Sequence, residues 1–96
     1  MQINQKTNNL QLTDHAITRC QQRGIPVEAV NFIYKHGKSI NTHQDKKYFC
    51  TKKILNKLKF VESNIIRRLD KYILNTAIVC NNQTLITVMR INKRIR

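Results

Sequence analysis

Two stretches rich in β-branched and apolar residues constrain the fold most. They run from Tyr72 to Cys80 and from Thr84 to Ile91, and Asn81-Asn82-Gln83 separates them. Asparagine tolerates the positive φ of tight hairpin turns, so the pattern predicts a β-hairpin. The first stretch is almost continuously apolar, which indicates an inner strand that is covered on more than one side.

The clearest helical period lies between Lys52 and Leu69, where apolar residues recur on one broad stripe. Phe60 falls off the stripe, so a break near residues 62–64 stays open. The stripe consists of Ile54, Leu55, Leu58, Val61, Ile65, Ile66 and Leu69.

Two shorter helices are predicted before this one. Thr13 offers an N-cap hydroxyl to the first, and Gly24 supplies the left-handed residue that commonly ends a helix. Pro26 suits the first position of the second helix, and Gly37 closes that helix after His36. The pattern therefore predicts a helical hairpin with a tight joint.

The remaining segments are less patterned. Their pattern predicts two short strands around a turn, from Ser39 to Thr42 and from Lys47 to Cys50. For residues 1–11 we expect a flexible arm or a short edge strand. With no linker, repeat or low-complexity run, we expect one domain spanning residues 1–96.

The charge balance predicts a polyanionic partner. Eighteen Lys and Arg residues against five Asp and Glu residues give a net charge of +13. Self-repulsion of this size destabilises a compact chain unless a polyanion meets it, so nucleic acid is the partner that we expect first. A merely soluble basic surface and an anionic membrane are the alternatives.

The location that we expect is the cytoplasm, without a membrane partner. No apolar run approaches the roughly 20 residues of a transmembrane helix, and residues 1–12 lack the apolar centre of a signal peptide. Cys20, Cys50 and Cys80 are odd in number and far apart, so neither a complete disulfide framework nor a CxxC metal knuckle is predicted. We expect reduced thiols, most of them buried.

His15, Arg19 and Arg23 form the densest group of chemically competent side chains. They are four residues apart, so each is turned only about 40° from the last along a helix, and they can converge on one anion. Arginine can hold phosphate oxygens bidentately, and imidazole can pass a proton near neutral pH. The alternative is a solvated helix face with an incidental histidine.

The pattern H-A-x-x-R-x-x-x-R-G-I, followed by a glycine-terminated helix and ending in residues 84–90, resembles a bacterial domain family of unknown function. That family is similar to small ribonuclease-type toxins related to RelE, ParE and BrnT. The resemblance spans roughly Leu12 to Arg90. It implies an α+β fold in which an N-terminal helical hairpin packs on an antiparallel sheet, with a nucleic-acid site at the helix–sheet edge. The helix predicted from Lys52 to Leu69, before the C-terminal β-hairpin, departs from the related toxins as an additional element.

The resemblance also implies an activity. The related toxins cleave RNA without metal, and an acidic antitoxin protein would mask the toxin. By position, His15, Arg19 and Arg23 match the family's helix residues, and Thr87 matches its strand hydroxyl; Arg90 is a weaker match. Thr87 and Arg90 point to opposite faces of a regular strand, so only a bulge or the strand end would bring both into one cleft. No Lys or Arg has an evident role as general acid; His43 and Tyr48 are candidates, but an ordinary turn histidine and a packed tyrosine are the simpler interpretation.

The other basic residues can follow a phosphate backbone. A solvated helix face explains those between residues 52 and 69 equally well. The nucleic-acid contacts that we expect are Lys53, Lys57, Arg67, Arg90, Lys93 and Arg94.

Metal and cofactor chemistry is not predicted. The five acidic residues include no close pair of the kind that a two-metal nuclease needs, and the three histidines lack zinc-ligand spacing. We therefore expect no metal site and no small-molecule cofactor.

Three functions remain open from the sequence. The first is a toxin-like, metal-independent endoribonuclease, in which His15 takes the proton from a ribose 2′-OH while Arg19 and Arg23 stabilise the reacting phosphate. The second is a non-catalytic basic nucleic-acid-binding protein. The third is an inhibitor that, like ParE, acts on a topoisomerase by protein contact.

Overall fold

The computed structural model of the chain describes residues 10–91. The fold is α+β, as predicted, with a helical hairpin packed on a sheet and further helices before the C-terminal hairpin. The elements follow in the order β1 (Gln11–Leu12), α1 (Asp14–Arg23), α2 (Val27–His36), β2 (Lys38–Asn41), β3 (Lys46–Phe49), α3 (Lys52–Leu58), α4 (Ser63–Leu74), β4 (Thr76–Asn81) and β5 (Thr84–Arg90).

The five strands form one sheet in the order β1-β5-β4-β3-β2. Three of the four strand pairs are antiparallel, but β1 runs parallel to β5, with Gln11 opposite Thr84. The sheet is therefore antiparallel, as predicted, except for the short edge pair of β1 with β5, which makes it mixed. Leu10 is buried and Gln11 belongs to β1, so these two residues are not part of an arm; residues 1–9 lie outside the described range.

The core lies between one face of this sheet and the helices. Ile78 of β4 lies opposite Val88 of β5, and both are fully buried. α1 packs on β5, α2 packs on β3 and β4, and α4 packs on α2 and β4. Removing such apolar side chains from water is the main favourable term in folding. The largest helix residues of this core are Val30, Phe32, Ile33, Leu55, Leu69 and Ile73.

The capping prediction for α1 is confirmed at both ends. The Thr13 hydroxyl accepts a hydrogen bond from the Ala16 N–H at 3.1 Å and donates to the Leu85 carbonyl at 3.5 Å, so it caps the helix and also ties it to β5. Gly24 has a φ of 65°, and the Ile25 N–H donates to the Cys20 carbonyl at 2.9 Å.

Pro26 differs slightly from the prediction. It precedes α2 as its N-cap, with a ψ of 141°, and is not the first helical residue. Its ring still fixes φ at −65°, and the missing N–H needs no partner there.

The long predicted helix is two helices. α3 ends at Leu58 and α4 begins at Ser63. α4 then continues to Leu74, so the prediction of a strand over residues 72–74 is wrong. The reason is that Ile73 lies four residues after Leu69, which extends the buried stripe of the helix by one turn.

Both hairpin turns lie at the same end of the sheet, because Lys46 pairs with Asn41 on one side and with Cys80 on the other. Asn82 has a φ of 56°, as predicted for the turn between β4 and β5. The two short strands that flank the other turn, β2 and β3, each begin and end one residue earlier than predicted.

Gly37 should be the less replaceable of the two glycines. A Cβ at Gly37 would lie 2.5 Å from the Ile33 carbonyl oxygen and 2.7 Å from that of Phe49, whereas a Cβ at Gly24 would meet nothing within 4 Å. Gly24→Ala should cost about 1 kcal/mol, for its left-handed backbone alone, and Gly37→Ala about 3 kcal/mol, because α2 or β3 must move. Urea unfolding of both variants measures the two costs, and equal values would contradict the tight contact between α2 and β3.

Candidate nucleic-acid interface

Almost all lysines and arginines within residues 10–91 lack a carboxylate partner in the same range. Within residues 10–91, Arg68 is the only lysine or arginine that forms a salt bridge with a carboxylate of the same range. It binds both Glu28 oxygens, at 3.1 and 3.3 Å, and the hydrogen bonds lower the pKa of that carboxyl. The other cations of this range are left to attract an external anion.

His15, Arg19 and Arg23 form a row along α1 that turns gradually toward the core and does not stay on one open face. His15 is exposed, Arg19 is half-buried, and Arg23 is half-buried with its Nε enclosed and without a hydrogen-bond partner. The buried residues Ala16 and Cys20 each follow one residue after a member of the row, so the advance of about 40° per step carries the row from solvent toward the sheet. His15 and Arg23 are about 12 Å apart along the helix axis. The three side chains therefore do not share one open face of the helix.

Thr87 lies on the other face of the sheet from α1. It is paired with Val79, whereas the adjacent pair, Val88 with Ile78, points into the core beneath the helices. The irregularity between β4 and β5 comes before Thr87 in the chain, so it does not turn this hydroxyl toward α1. The structure does not bring Thr87 together with His15.

Arg90 shares the helix-covered face but lies at the far end of β5. It pairs with Thr76, six residues along the strand from Thr84, a separation of about 20 Å. The start of α1 is tied to Leu85, near the opposite end. Thr87 and Arg90 thus point to opposite faces, and no single cleft receives both.

The predicted contacts on α3 and α4 are all open to solvent. Lys53 and Lys57 lie one helical turn apart on α3, and Arg67 lies on α4; all three are exposed. Lys93 and Arg94 lie outside the described residues. The loop between the two helices adds Lys59, which is also exposed. We call Lys53, Lys57, Lys59 and Arg67 the α3–α4 basic surface.

Phe60, which the sequence did not indicate as functional, follows Lys59 in the loop between α3 and α4. It is 85% exposed, its neighbour Val61 is 76% exposed, and the Lys59 ammonium lies 5.6 Å from the centre of the Phe60 ring. An isolated exposed aromatic ring among lysines can stack on a nucleobase. The sequence did show that Phe60 falls off the apolar stripe of the helix. That position indicated a break in the helix, but it did not indicate an exposed ring.

The two candidate proton donors lie on or beside β3, whereas the helix of His15, Arg19 and Arg23 packs on β5, on the other side of β4. His43 is exposed in the turn between β2 and β3, and Tyr48 is half-buried on β3, where its ring packs at 5.1 Å from that of Tyr34. Burial raises the pKa of the Tyr48 hydroxyl. His43 is thus a turn histidine and Tyr48 a packed tyrosine, which is the simpler of the two interpretations given by the sequence.

The three cysteines are reduced and buried, as expected. Cys20, Cys50 and Cys80 are all buried and free, and burial raises the pKa of Cys50 and of Cys80 to about 12. Since the thiolate is the reactive form, these side chains act as small apolar groups. In the described part of the chain, no three or more His, Cys, Asp or Glu side chains are grouped so that they could hold a metal ion.

His36 is a half-buried titratable residue at the end of α2. Its Nε2 is buried without a hydrogen-bond partner and lies 3.9 Å from a Glu62 oxygen, too far for a hydrogen bond. Burial lowers the pKa of the imidazole, and Lys35 lowers it further, while Glu62 opposes them. The imidazole ring packs against the Phe32 ring, with 4.7 Å between the ring centres.

Comparisons with known proteins add no relative: no protein-family model matches the chain, and neither a curated protein nor a solved structure is recognisably similar. The resemblance to RelE-type toxins therefore rests on the motif in α1 and the β5 sequence. No helix within residues 10–91 has the length and apolar character needed to cross a membrane.

Acidification should destabilise the protein through His36. Its pKa in the folded state is below the ordinary value of 6.5, so the unfolded chain binds the proton first and the contribution to stability, complete above pH 6.5, is lost as the pH falls. Thermal unfolding between about pH 7.5 and about pH 5.5 should show a falling Tm, and the fall should be smaller in His36→Gln. An identical pH dependence in the variant would contradict this origin.

Proposed function

We propose that this protein binds RNA through its basic surface. The observation that carries the proposal is the lack of carboxylate partners for all lysines and arginines but one within residues 10–91. Counterion release from RNA then supplies the binding energy. This interaction also relieves the self-repulsion of a chain with a net charge of +13.

The α3–α4 basic surface is the part best suited to a single strand. Lys53 and Lys57 can follow successive phosphates, and the exposed Phe60 ring offers a face to an unpaired base. Stacking on aromatic rings tolerates every base and requires that the base be unpaired. Single-stranded RNA therefore fits this surface better than a duplex.

The resemblance to toxins supports RNA over other polyanions and adds two further parts to the proposal. The location that we propose is the cytoplasm, where RNA is available. The resemblance also supplies an acidic antitoxin as protein partner, since a chain of this charge attracts acidic surfaces as it attracts phosphates.

Neutralising the α3–α4 basic surface should weaken RNA binding and reduce its salt dependence. In the triple variant Lys53→Gln, Lys57→Gln and Arg67→Gln, the slope of log K against log salt should fall by about 2, because each phosphate contact contributes about 0.7 for a single strand. Fluorescence anisotropy with a labelled single-stranded RNA, over a series of salt concentrations, measures this slope.

A control variant removes the same charge from α2, β2 and β3, at Lys35, Lys38 and Lys47. If this variant lost as much affinity and slope as the first, binding would be spread over the whole molecule and the α3–α4 surface would have no special part. Absence of RNA binding by the unchanged protein at low salt would contradict the proposed function itself.

Metal-independent RNA cleavage is the second candidate, and the exposure of His15 beside Arg19 favours it. In this reaction His15 takes the proton of a ribose 2′-OH, the 2′-oxygen bonds to the adjacent phosphorus, and the bond from phosphorus to the 5′-oxygen breaks. The 5′-oxygen takes a proton from water as it leaves, and His15 returns its proton to the solvent. The products are a 2′,3′-cyclic phosphate and a 5′-hydroxyl. Arg19 and Arg23 supply positive charge along the same helix.

Cleavage should require the 2′-OH and His15 but no metal. RNA incubated with the protein in EDTA should be cut, DNA should stay intact, and His15→Ala should lower the rate at least about a hundredfold, as for the loss of a general base. Thr18→Ala, an exposed change on the same helix, is the control. Equal rates for His15→Ala and the unchanged protein would rule out this mechanism and leave RNA binding as the function.

A further inference from the structure

A cleft of about 490 Å³ opens at the end of the sheet that carries both hairpin turns. Its walls are the turn between β2 and β3 and the turn between β4 and β5, and Tyr48 and Cys80 also line it. Ligand pockets usually enclose roughly 300 to 1,000 Å³, so the volume suits a small planar group. No residue of this cleft belongs to α1 or to the α3–α4 basic surface.

The two walls are tied together by Asp45. Its Oδ1 accepts a hydrogen bond at 3.0 Å from the Asn81 side-chain amide, and its backbone carbonyl accepts from the Thr42 N–H at 2.9 Å and from the Thr42 hydroxyl at 3.1 Å. One contact thus joins the turns and two others fix the first turn. The cleft is formed before any ligand arrives, which lowers the cost of binding.

The lining combines groups that read nucleobases. The second oxygen of Asp45 and the side-chain amides of Gln44 and Asn82 form no hydrogen bond with other described residues. Carboxylates accept from exocyclic amino groups, and amides pair with base edges. His43 offers a ring for stacking, and the Lys46 ammonium can meet a phosphate.

We propose that this cleft binds one unpaired nucleobase with an exocyclic amino group, such as adenine or cytosine. The free Asp45 oxygen accepts the amino proton, a donor that uracil and thymine lack. The carboxylate also repels phosphate, so the base enters the cleft and its phosphate lies toward Lys46.

The position of the cleft connects it with α1. Leu85, whose carbonyl accepts from Thr13 at the start of α1, pairs with Cys80, which lines the cleft. His15 lies in the first turn of that helix, at the same end of the sheet. A strand with one base in the cleft that runs along this end of the sheet toward β5 passes the exposed His15. This inference rests on the proposed RNA-binding function, and it adds to that function a preference among bases.

Homopolymers of about ten nucleotides test the inference. In anisotropy titrations at one salt concentration, oligo-A and oligo-C should bind about tenfold more tightly than oligo-U, the discrimination that one good base contact provides. The DNA counterparts, with thymine in place of uracil, show whether the strand is RNA or DNA. Equal affinities for all three RNA oligomers would overturn the inference.

Asp45→Asn is the decisive variant. The amide oxygen can still accept the hydrogen bond from Asn81, but an NH2 group, which is a donor, replaces the second oxygen. The preference for adenine and cytosine should disappear, and affinity for oligo-U should not fall. Asp70→Asn, an exposed change of the same charge on α4, should keep the preference. A preference that survives Asp45→Asn would also overturn the inference.

Failure of the proposed function can be told apart from failure of this cleft. Sequence-independent, salt-sensitive RNA binding would support the function and reject the cleft. If no RNA binds, NMR titration with free AMP, CMP and UMP still decides: signals of His43 and Asn82 that shift with AMP and CMP but not with UMP support the cleft, and signals that do not shift reject it.

Discussion

The structure depends on the burial of β4 at the centre of the sheet. This strand has β5 on one side and β3 on the other, and α2 and α4 cover one of its faces. Thr76, Ala77, Ile78 and Cys80 are all buried. A strand with both edges paired and one face covered has no alternative register that keeps its apolar residues from water, so it fixes the positions of the helices and of both hairpin turns.

The sequence predicted features that local physics determines. Thr13 and Gly24 bound α1 because a hydroxyl cap and a left-handed glycine act within a few residues. Residues 72–74 were assigned to the wrong element because their apolar character suits a buried strand and a buried helix equally, and only the packing of Ile73 decides between the two. The parallel pairing of β1 joins positions far apart in the chain, and no local pattern encodes it.

The candidate sites likewise combine features that local spacing predicts with features that depend on packing between distant segments. Spacing correctly placed His15, Arg19 and Arg23 on one helix. It could not show that Arg23 lies beside the buried face of this helix, because the packing of α1 on β5 determines which face is buried. The strand pattern predicted opposite directions for Thr87 and Arg90, but not which of them faces the helices. The cleft has two walls that lie 36 residues apart at the Asp45 to Asn81 contact, and it exists only in the folded chain.

The parallel pair of β1 with β5 has a consequence for the order of folding. The hydrogen bond from Thr13 to Leu85 spans 72 residues, so α1 finds its support only after nearly all of the described chain has been made. Contacts of such long range carry a high loop-closure entropy and slow the search for the native state. While the ribosome is still synthesising β5, the helix that carries His15 has neither its strand nor its anchor, so α1 is held in place only in one of the last steps of folding.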